Sequence, residues 1–384
     1  MKTQEQNTLF YLESLFLNNF RNYSKLRIDF HPRLNIILGE NGQGKTNLIE
    51  AVFFLSVTRS FRTNRDQDLA GLPEQYFFIK GQFVKDDFNN LLQISYNDKQ
   101  LKVVIDNDRK GRFDHLQQFP IVAFSPDDLL IVREGPAIRR RYINLEASRL
   151  NQLYFLELRA YHRVLLQRSK LLKENRNRRD LEKLLEPWDD SLITHGSAVI
   201  RFRKELVRQL AKEAAPIFSR MSVEQEELSL NYTCSFASDD NCVDLEKQFR
   251  EALLKKRELE FRRQTTVVGP HLDDLCIIIN GRDSRKYSSQ GQKRTAALAL
   301  KMAEVTMLRQ KNGSWPILLL DDVFSEFDGQ RKEQLLDFLA GINSQCFLTS
   351  AVALEKLPAE LAGCYYKINV QRGIISHEKD GPGS

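Results

Sequence analysis

The sequence predicts an α/β fold with a helical insertion, and three observations support this. The apolar run Leu34 to Leu38 leads directly into a glycine-rich turn at 39 to 46, and apolar residues then recur at helical spacing up to Leu55. A second apolar run, at 317 to 320, ends at two aspartates. Between 136 and 216 glycine nearly vanishes, and leucines follow a helical period among arginines, lysines and glutamates.

Alternating apolar and polar residues predict further strands on both sides of the insertion. The predicted strands lie at 15–17, 26–30, 77–79, 91–96, 101–105, 228–236 and 275–279. Polar Asp/Asn turns separate those between 77 and 105, which indicates an antiparallel meander. A charged helix is expected at 244–263, and Asn280-Gly281 indicates a hairpin turn. The insertion itself suits a compact helical lobe, because a single helix of ~40 residues reaches only about 60 Å.

The composition indicates a globular protein with a sizeable core. The chain has 384 residues, of which 42% are hydrophobic, so disordered and fibrous classes are excluded. A net charge of +6 permits a polyanionic partner but does not require one. The five cysteines have no CxxC spacing, which argues against a disulfide framework or a zinc site and favours a reducing compartment.

The N-terminal residues do not resemble a secretory signal, because Glu5 and Glu13 interrupt short apolar stretches. No apolar run approaches the length needed to cross a membrane. We therefore expect a cytoplasmic protein without a membrane partner.

The turn at 39 to 46 reads GENGQGKT and matches the phosphate-loop pattern G-x-x-x-x-G-K-[ST]. Its glycines allow backbone N–H groups to turn towards phosphate oxygens, while a lysine neutralises charge and a hydroxyl can bind Mg²⁺. An ordinary glycine-rich turn is the alternative, but the strand before it and the helix after it disfavour that interpretation. The expected ATP-binding residues are Gly39, Glu40, Asn41, Gly42, Gln43, Gly44, Lys45 and Thr46.

Two carboxylates follow the apolar run ILLL in the C-terminal part of the chain. Beside a phosphate loop, Asp321 is expected to hold Mg²⁺ together with Thr46, and Asp322 to orient or deprotonate the attacking water. A strand that ends in Asp-Asp before a loop is common, so this assignment depends on the phosphate loop. At the next predicted strand end, Thr349 or Ser350 could hydrogen-bond a γ-phosphate or a water; a plain strand end is the alternative.

Residues 288 to 294 read SSQGQKR and precede a predicted helix. A serine and backbone N–H groups at a helix N-terminus form an anion site, although an ordinary capped helix start has the same residues. The order of phosphate loop, Ser-Gln-Gly-Gln, acidic strand and Ser325-Glu326-Phe327-Asp328 favours the anion site. The candidate residues here are Ser289, Gly291 and Gln292.

In this order of motifs the chain resembles the ATP-binding-cassette ATPase heads, in which the signature of one head completes the ATP site of another. In transporter subunits the signature follows the phosphate loop much more closely than it does here. The chain is more similar to the chromosome-maintenance and DNA-repair branch, and specifically to the RecF family of bacterial recombination mediators. The similar segments are NFRNY (19–23), GENGQGKTNLIEA (39–51), RSFR (59–62), FSPDDL (124–129), GPAIRRR (135–141), VGPHLDDL (268–275), SSQGQKRT (288–295) and LLLDDVFSEFD (318–328).

The resemblance implies an ABC-type P-loop ATPase head, a mixed sheet with a central helix, that carries an inserted α-helical lobe. Its parts are expected at 1–130 (phosphate loop), 131–220 (helical lobe) and 221–384 (signature and acidic strand). It also implies an ATP-dependent homodimer on single-stranded and gapped double-stranded DNA, with RecR and RecO as partners, acting in recombinase loading, replication-fork maintenance and the SOS response. Cassette ATPases more often have Glu where Asp322 stands, so slow hydrolysis is expected.

Basic residues of the insertion are candidate DNA contacts, with a solvated helical face as the alternative. They are Arg139, Arg140, Arg141, Arg159, Arg163, Arg168, Lys170, Lys173, Arg176, Arg178 and Arg179. Two other functions remain open: an ATPase subunit of a membrane transporter, and a structural clamp that binds ATP without hydrolysis.

Overall fold

The computed structural model describes residues 9–86, 88–174, 178–222, 226–236, 244–323, 329–351 and 365–378. The chain divides into two compact units. The first unit contains the chain up to Asp128 and from Glu304 onward, and the second unit is Leu129–Ala303. Residues 221–303 thus group with the helices, whereas the expected boundaries at 130 and 220 stay a prediction about functional domains.

The first unit contains a six-stranded antiparallel sheet in the order β2-β1-β4-β5-β6-β7. Its strands are β1 (Phe10–Phe20), β2 (Tyr23–Asp29), β4 (Phe77–Lys85), β5 (Phe88–Asn97), β6 (Gln100–Ile105) and β7 (Asp108–Lys110). Buried side chains alternate with more exposed ones over 26–29 of β2 and 77–83 of β4, as in a sheet with one face towards the core. The predicted meander is confirmed.

A second six-stranded sheet, in the order β15-β14-β3-β13-β12-β8, supports the phosphate loop. Its strands are β3 (Leu34–Leu38), β8 (Ile121–Phe124), β12 (Ile317–Leu320), β13 (Cys346–Ser350), β14 (Tyr365–Gln371) and β15 (Ile374–Glu378). All neighbours are parallel except β14 and β15. Helices α1 (Lys45–Val57) and α9 (Gly329–Gly341) also belong to this unit.

Eleven of the thirteen residues of α1 are buried, as expected for the central helix of the fold. The strands β8, β12 and β13 are buried along their whole length, as is usual for parallel strands covered on both faces. The predicted α/β class, a mixed sheet with a central helix, is confirmed.

The second unit is mainly helical and includes a small antiparallel sheet. Its helices are α2 (Leu129–Arg133), α3 (Pro136–Leu150), α4 (Gln152–Lys173), α5 (Arg178–Met221), α6 (Leu245–Arg263), α7 (Ser284–Tyr287) and the start of α8 (Gln290–Asn312). The sheet, in the order β11-β10-β9, contains β9 (Leu228–Thr233), β10 (Asp274–Ile279) and β11 (Arg282–Asp283). Asn280 and Gly281 both have positive φ and form the predicted turn between β10 and β11.

The longest helix, α5, has 44 residues and packs along α4. Asp189 of α5 hydrogen-bonds Arg168 of α4, and Leu185 and Leu181 pack with Leu172, so the two helices run antiparallel. No helix within the described ranges is long and apolar enough to cross a membrane.

Candidate nucleotide site

The phosphate loop connects the C-terminal end of β3 to the first residue of α1. Two of its glycines are required by geometry. Gly44 has φ 120° at the N-terminus of α1, a conformation that disfavours any side chain. A Cβ on Gly39 would lie 2.3 Å from the carbonyl oxygen of Val370, so β14 leaves no space for one. The loop therefore has the strand, glycine turn and helix that the sequence predicts.

Lys45 is buried, although its ammonium group carries a charge. Its Nζ donates to the carbonyl oxygens of Gly39 (2.5 Å) and Glu40 (2.9 Å), which holds the side chain back along the loop. Glu40, Asn41 and Gly42 at the outer part of the loop are exposed. The ammonium group is thus held at the start of the loop, where it can neutralise phosphate charge.

Two other segments hold the loop from outside. The Tyr23 hydroxyl donates to the carbonyl oxygen of Gly44 (3.0 Å), and Nδ2 of Asn22 donates to that of Gln43 (3.2 Å). From the β14–β15 turn, the backbone N–H of Arg372 donates to Oε1 of Gln43 (2.7 Å) and that of Gly373 to its carbonyl oxygen (3.0 Å). Sequence reasoning missed these supports; their one signal was the Asn-Tyr pair in the NFRNY segment.

A buried carboxylate on α1 anchors the same NFRNY segment. Glu50 is fully buried and accepts two hydrogen bonds from Arg21, each 2.8 Å. Ser60 also donates to it, and Arg62 lies 3.7 Å from its Oε2. Because a buried charge needs such partners, Glu50 fixes the RSFR segment and the NFRNY turn to the helix of the loop.

Asp321 lies at the end of β12, beside the phosphate loop. Its Oδ1 accepts hydrogen bonds from the Thr46 hydroxyl (3.1 Å) and the Thr349 hydroxyl (2.9 Å). Burial raises the pKa of this carboxyl group, the two threonine hydroxyls oppose that shift, and the neighbouring Asp322 adds to it. A hydroxyl and a carboxylate oxygen are the ligands that Mg²⁺ prefers, so these residues fit the ion.

Asp322 differs from Asp321 in its backbone conformation and in the exposure of its side chain. Its φ is 51°, a left-handed conformation that is uncommon outside glycine, and its side chain is half-buried. Its backbone N–H donates to the Thr349 hydroxyl (2.8 Å). Thr349 therefore bridges the two acids, whereas the sequence suggested a contact to a γ-phosphate or a water, or a plain strand end. The following Ser325-Glu326-Phe327-Asp328 segment lies outside the described residues.

The signature segment lies in the second unit and begins α8. Ser289 is exposed, and its Oγ accepts from the backbone N–H of Gln292 (3.2 Å), while Oε1 of Gln292 accepts from the N–H of Ser289 (2.6 Å). This reciprocal pair is a capping box, which leaves the serine at the first turn of a 23-residue helix. Nε2 of Gln292 also donates to Glu226, and Gly291 is half-buried.

The structure corrects part of the predicted set of DNA contacts. Arg139 is 2% exposed and pairs with Asp274 through two hydrogen bonds of 2.8 and 2.7 Å. Arg168 is 0% exposed and pairs with Asp189 and Glu260. The prediction is wrong for both, because a buried, paired guanidinium cannot reach a phosphate. Arg176 lies outside the described residues, as does the side chain of Arg178.

Comparisons with known proteins agree with this architecture. A family model described as the RecF/RecN/SMC N-terminal domain matches residues 11–367. The DNA replication and repair protein RecF of Lachnoclostridium phytofermentans is 40% identical over 335 residues, which cover 87% of this chain and 91% of that protein. RecF of Bacillus subtilis is 36% identical over 379 residues, covering 95% and 99%.

Solved structures show the same relationship. The structure of the recombination mediator protein RecF with ATP, in the RecFOR pathway, has a TM-score of 0.88 and 33% identity, covering 96% of this chain and 98% of that one. An Smc head domain from Pyrococcus furiosus has a TM-score of 0.52 at 17% identity, covering 96% of both chains, and is similar in fold alone.

Proposed function

Because the chain belongs to the RecF family, we propose that it is an ATP-dependent DNA-binding clamp of recombinational repair. ATP pairs two copies of the chain at single-/double-stranded DNA gaps, and slow hydrolysis releases them. The observation that carries this proposal is the assembly of Lys45, Thr46 and Asp321 at one loop, with hydroxyl and carboxylate oxygens 3.1 Å apart. The proposed setting is cytoplasmic, with RecR and RecO as partners in recombinase loading, replication-fork maintenance and the SOS response.

The residues of the first unit supply one half of the proposed site. Backbone N–H groups of 39–46 and the ammonium of Lys45 would bind the triphosphate, and Thr46 and Asp321 would hold Mg²⁺, which would neutralise phosphate charge. Asp322 is the proposed general base for the attacking water. Its left-handed backbone and the bond from its N–H to Thr349 hold the main chain from which the side chain extends. Aspartate is one methylene shorter than glutamate, so its reach to the attacking water depends on this placement, which supports the expectation of slow turnover.

The other half of the site is supplied by Ser289, Gly291 and Gln292 of a second copy. Ser289 is exposed at a helix N-terminus, where the helix dipole favours an anion. A γ-phosphate held between two copies would link nucleotide binding to dimerisation. The exposed cations of α4, which are Arg159, Arg163, Lys170 and Lys173, are the proposed contacts to the phosphate backbone of duplex DNA.

Sedimentation of the purified chain with and without ATP and gapped DNA, combined with phosphate-release assays, tests this function. Lys45→Ala should abolish nucleotide binding. Asp322→Asn should retain the ATP dimer and slow hydrolysis by roughly 10²-fold or more, the scale of a lost general base. ATP-driven dimers without phosphate release would identify a structural clamp instead.

Ser289→Arg tests the shared site directly. It should bind ATP normally but remain monomeric, because the larger side chain blocks the first turn of α8. Gln209→Arg, at an exposed position of α5, is the matched control and should dimerise as the unmodified chain does. Normal ATP-dependent dimers of Ser289→Arg would contradict the shared-site mechanism.

A further inference from the structure

The antiparallel sheet of the first unit exposes one face, on which strand register brings distant residues into two rows. Cross-strand pairs define each row from β2 to the far edge of the sheet. The first row contains Arg27, Phe16, Lys80, Gln93, Val104 and Arg109. The second row contains Lys25, Asn18, Phe78, Ser95 and Lys102.

This outer face is strongly cationic. Lys25, Arg27, Lys80, Lys102 and Arg109 are all exposed, and none forms an ion pair within the part of the chain that the structure describes. Neither row contains a carboxylate. Two acids lie one row farther along, where Asp29 lies opposite Ser14 and Asp106 accepts a hydrogen bond from the Leu91 N–H. Five exposed cations in two rows attract a polyanion.

Two phenylalanines lie at the centre of the same face. Phe16 and Phe78 are on the adjacent strands β1 and β4, and their ring centroids are 6.1 Å apart at an interplanar angle of 61°. Both are half-buried, so part of each ring faces solvent between the cations. Residues on the opposite face of the same strands, such as Leu17 and Ile79, are fully buried. The two rings therefore lie outside the hydrophobic core that the opposite face of the sheet covers.

The rows are long enough to carry several nucleotides. Six strands at a spacing of about 4.8 Å span roughly 24 Å. The outer cations lie near both ends of the rows, with the aromatic rings and the amides of Asn18 and Gln93 between them. Aromatic platforms within a cationic surface are typical of single-strand binding, because every base has a face that can stack.

We propose that this face binds single-stranded DNA, with bases on Phe16 and Phe78 and phosphates on the five surrounding cations. Duplex DNA fits the surface less well, since its bases are already stacked and offer the rings nothing to contact. The inference deepens the proposed function, on which it rests for the source of the strand: the unpaired segment of a gap. The α4 cations would then contact the duplex, and the sheet would contact the single strand.

The test is fluorescence anisotropy of the full chain with a labelled dT15 strand and a labelled 15-base-pair duplex. Phe16→Leu/Phe78→Leu keeps apolar bulk but removes the aromatic faces. It should bind dT15 at least 10-fold more weakly, while its affinity for the duplex changes less than 2-fold. Phe16→Tyr/Phe78→Tyr should retain dT15 binding, which separates stacking from a packing defect.

Lys80→Gln/Arg109→Gln provides a second, electrostatic readout. The slope of log affinity for dT15 against log salt should fall by about 1.4, at ~0.7 for each phosphate contact to a single strand. Equal binding of dT15 by the leucine variant and the unmodified chain would overturn the proposal, as would an equal loss for dT15 and duplex. Tighter binding of rU15 than of dT15 would overturn the assignment to DNA.

Failure of this proposal is distinguishable from failure of the proposed function. The leucine variant should still sediment as an ATP-dependent dimer with normal phosphate release. If the unmodified chain did not dimerise with ATP but bound dT15 through the two rings, the single-strand site would stand and the clamp would not.

Discussion

The helical second unit and the antiparallel sheet of the first unit are both rich in basic residues but use them differently. Arg139, Arg149, Arg168 and Arg203, all in the second unit, are among the largest fully buried side chains of the described chain. On the sheet, Lys25, Arg27, Lys80, Lys102 and Arg109 are exposed. Side chains alternate between the two faces of a strand, so the sequence indicates which basic residues share a face. A basic residue in a packed helix can face either solvent or another helix. A basic residue in the insertion is therefore weaker evidence for a DNA contact.

The buried arginines join elements of the second unit that are far apart in sequence. Arg203 donates to the Tyr154 hydroxyl (3.1 Å), to Oδ1 of Asn144 (2.7 Å) and to the carbonyl oxygen of Pro270 (2.6 Å). Burial alone would lower the pKa of this guanidinium, but its interactions with the Tyr154 and Tyr232 hydroxyls raise it above the usual value. Such networks stabilise a particular packing of helices, and they are costly to break by removing one partner.

The largest expected effect is on Arg168. Its guanidinium donates to Asp189 (2.7 Å), Glu260 (2.6 and 3.1 Å) and the Thr266 hydroxyl (2.7 Å). Arg168→Ala should lower the free energy of unfolding by about 3–5 kcal/mol, because two buried carboxylates lose the guanidinium they share and keep only Arg257 as an ion-pair partner within the described residues. Arg163→Ala, an exposed position on the same helix, should change it by less than about 0.5 kcal/mol. Urea denaturation measures both, and equal effects would break the comparison between buried and exposed cations.

A buried histidine should make the second unit sensitive to acid. His271 lies between the Tyr161 hydroxyl (2.6 Å) and the carbonyl oxygen of Thr266 (3.1 Å), and burial lowers its pKa to about 4. In the unfolded chain the imidazole becomes protonated near pH 6.5. The contribution of His271 to the free energy of unfolding is therefore complete above that pH and is lost as the pH falls towards 4. The loss should reach up to about 3 kcal/mol.

Urea denaturation between pH 7 and pH 4.5 tests the histidine. His271→Gln should reduce the dependence of unfolding free energy on pH over this range. The dependence that remains includes that of His115 in the first unit, whose pKa burial also lowers to about 4. An unchanged pH dependence in His271→Gln would show that His271 does not titrate as its burial requires.

Asp321 is a buried carboxyl group at the nucleotide site. Burial raises the pKa of its carboxyl group, so the charged form is disfavoured in the folded chain. The contribution of Asp321 to the free energy of unfolding therefore falls as the pH rises through this pKa. Asp321→Asn should stabilise the nucleotide-free chain by about 1 kcal/mol and abolish Mg²⁺-dependent ATP binding. Residues of functional sites often lower stability in this way. Thermal unfolding with and without Mg-ATP measures both; a destabilised variant would show that Thr46 and Thr349 more than offset the cost of the charge.

The smallest effect is expected on the sheet. Lys80→Gln should change the free energy of unfolding by less than about 0.5 kcal/mol, because the side chain is exposed and has no ion pair among the described residues. Arg139→Gln is the matched variant in the second unit and should be clearly destabilising, since Asp274 loses both hydrogen bonds. Equal unfolding free energies for the two variants would remove the distinction between the regions.

The sequence by itself determined the local parts of the fold and of the site. The strand, glycine turn and helix of the phosphate loop, the antiparallel meander and the Asn280-Gly281 turn are set by contiguous residues, because backbone conformation and side-chain period act over a few positions. Asp321 and Asp322 were predictable for the same reason, as acids at the end of a buried strand. The roles of these residues, and of Ser289, stay predictions that the proposed experiments test.

Only the tertiary structure decided which distant residues meet. Thr349 contacts both acids because β12 and β13 are parallel neighbours with Leu320 opposite Leu348, a pairing between segments separated by a whole helix. The same holds for the burial of Arg139 and Arg168 and for the alignment of Phe16 with Lys80 across β1 and β4. Strand register and helix packing depend on the burial of apolar surface over the whole chain, which no local pattern of residues specifies.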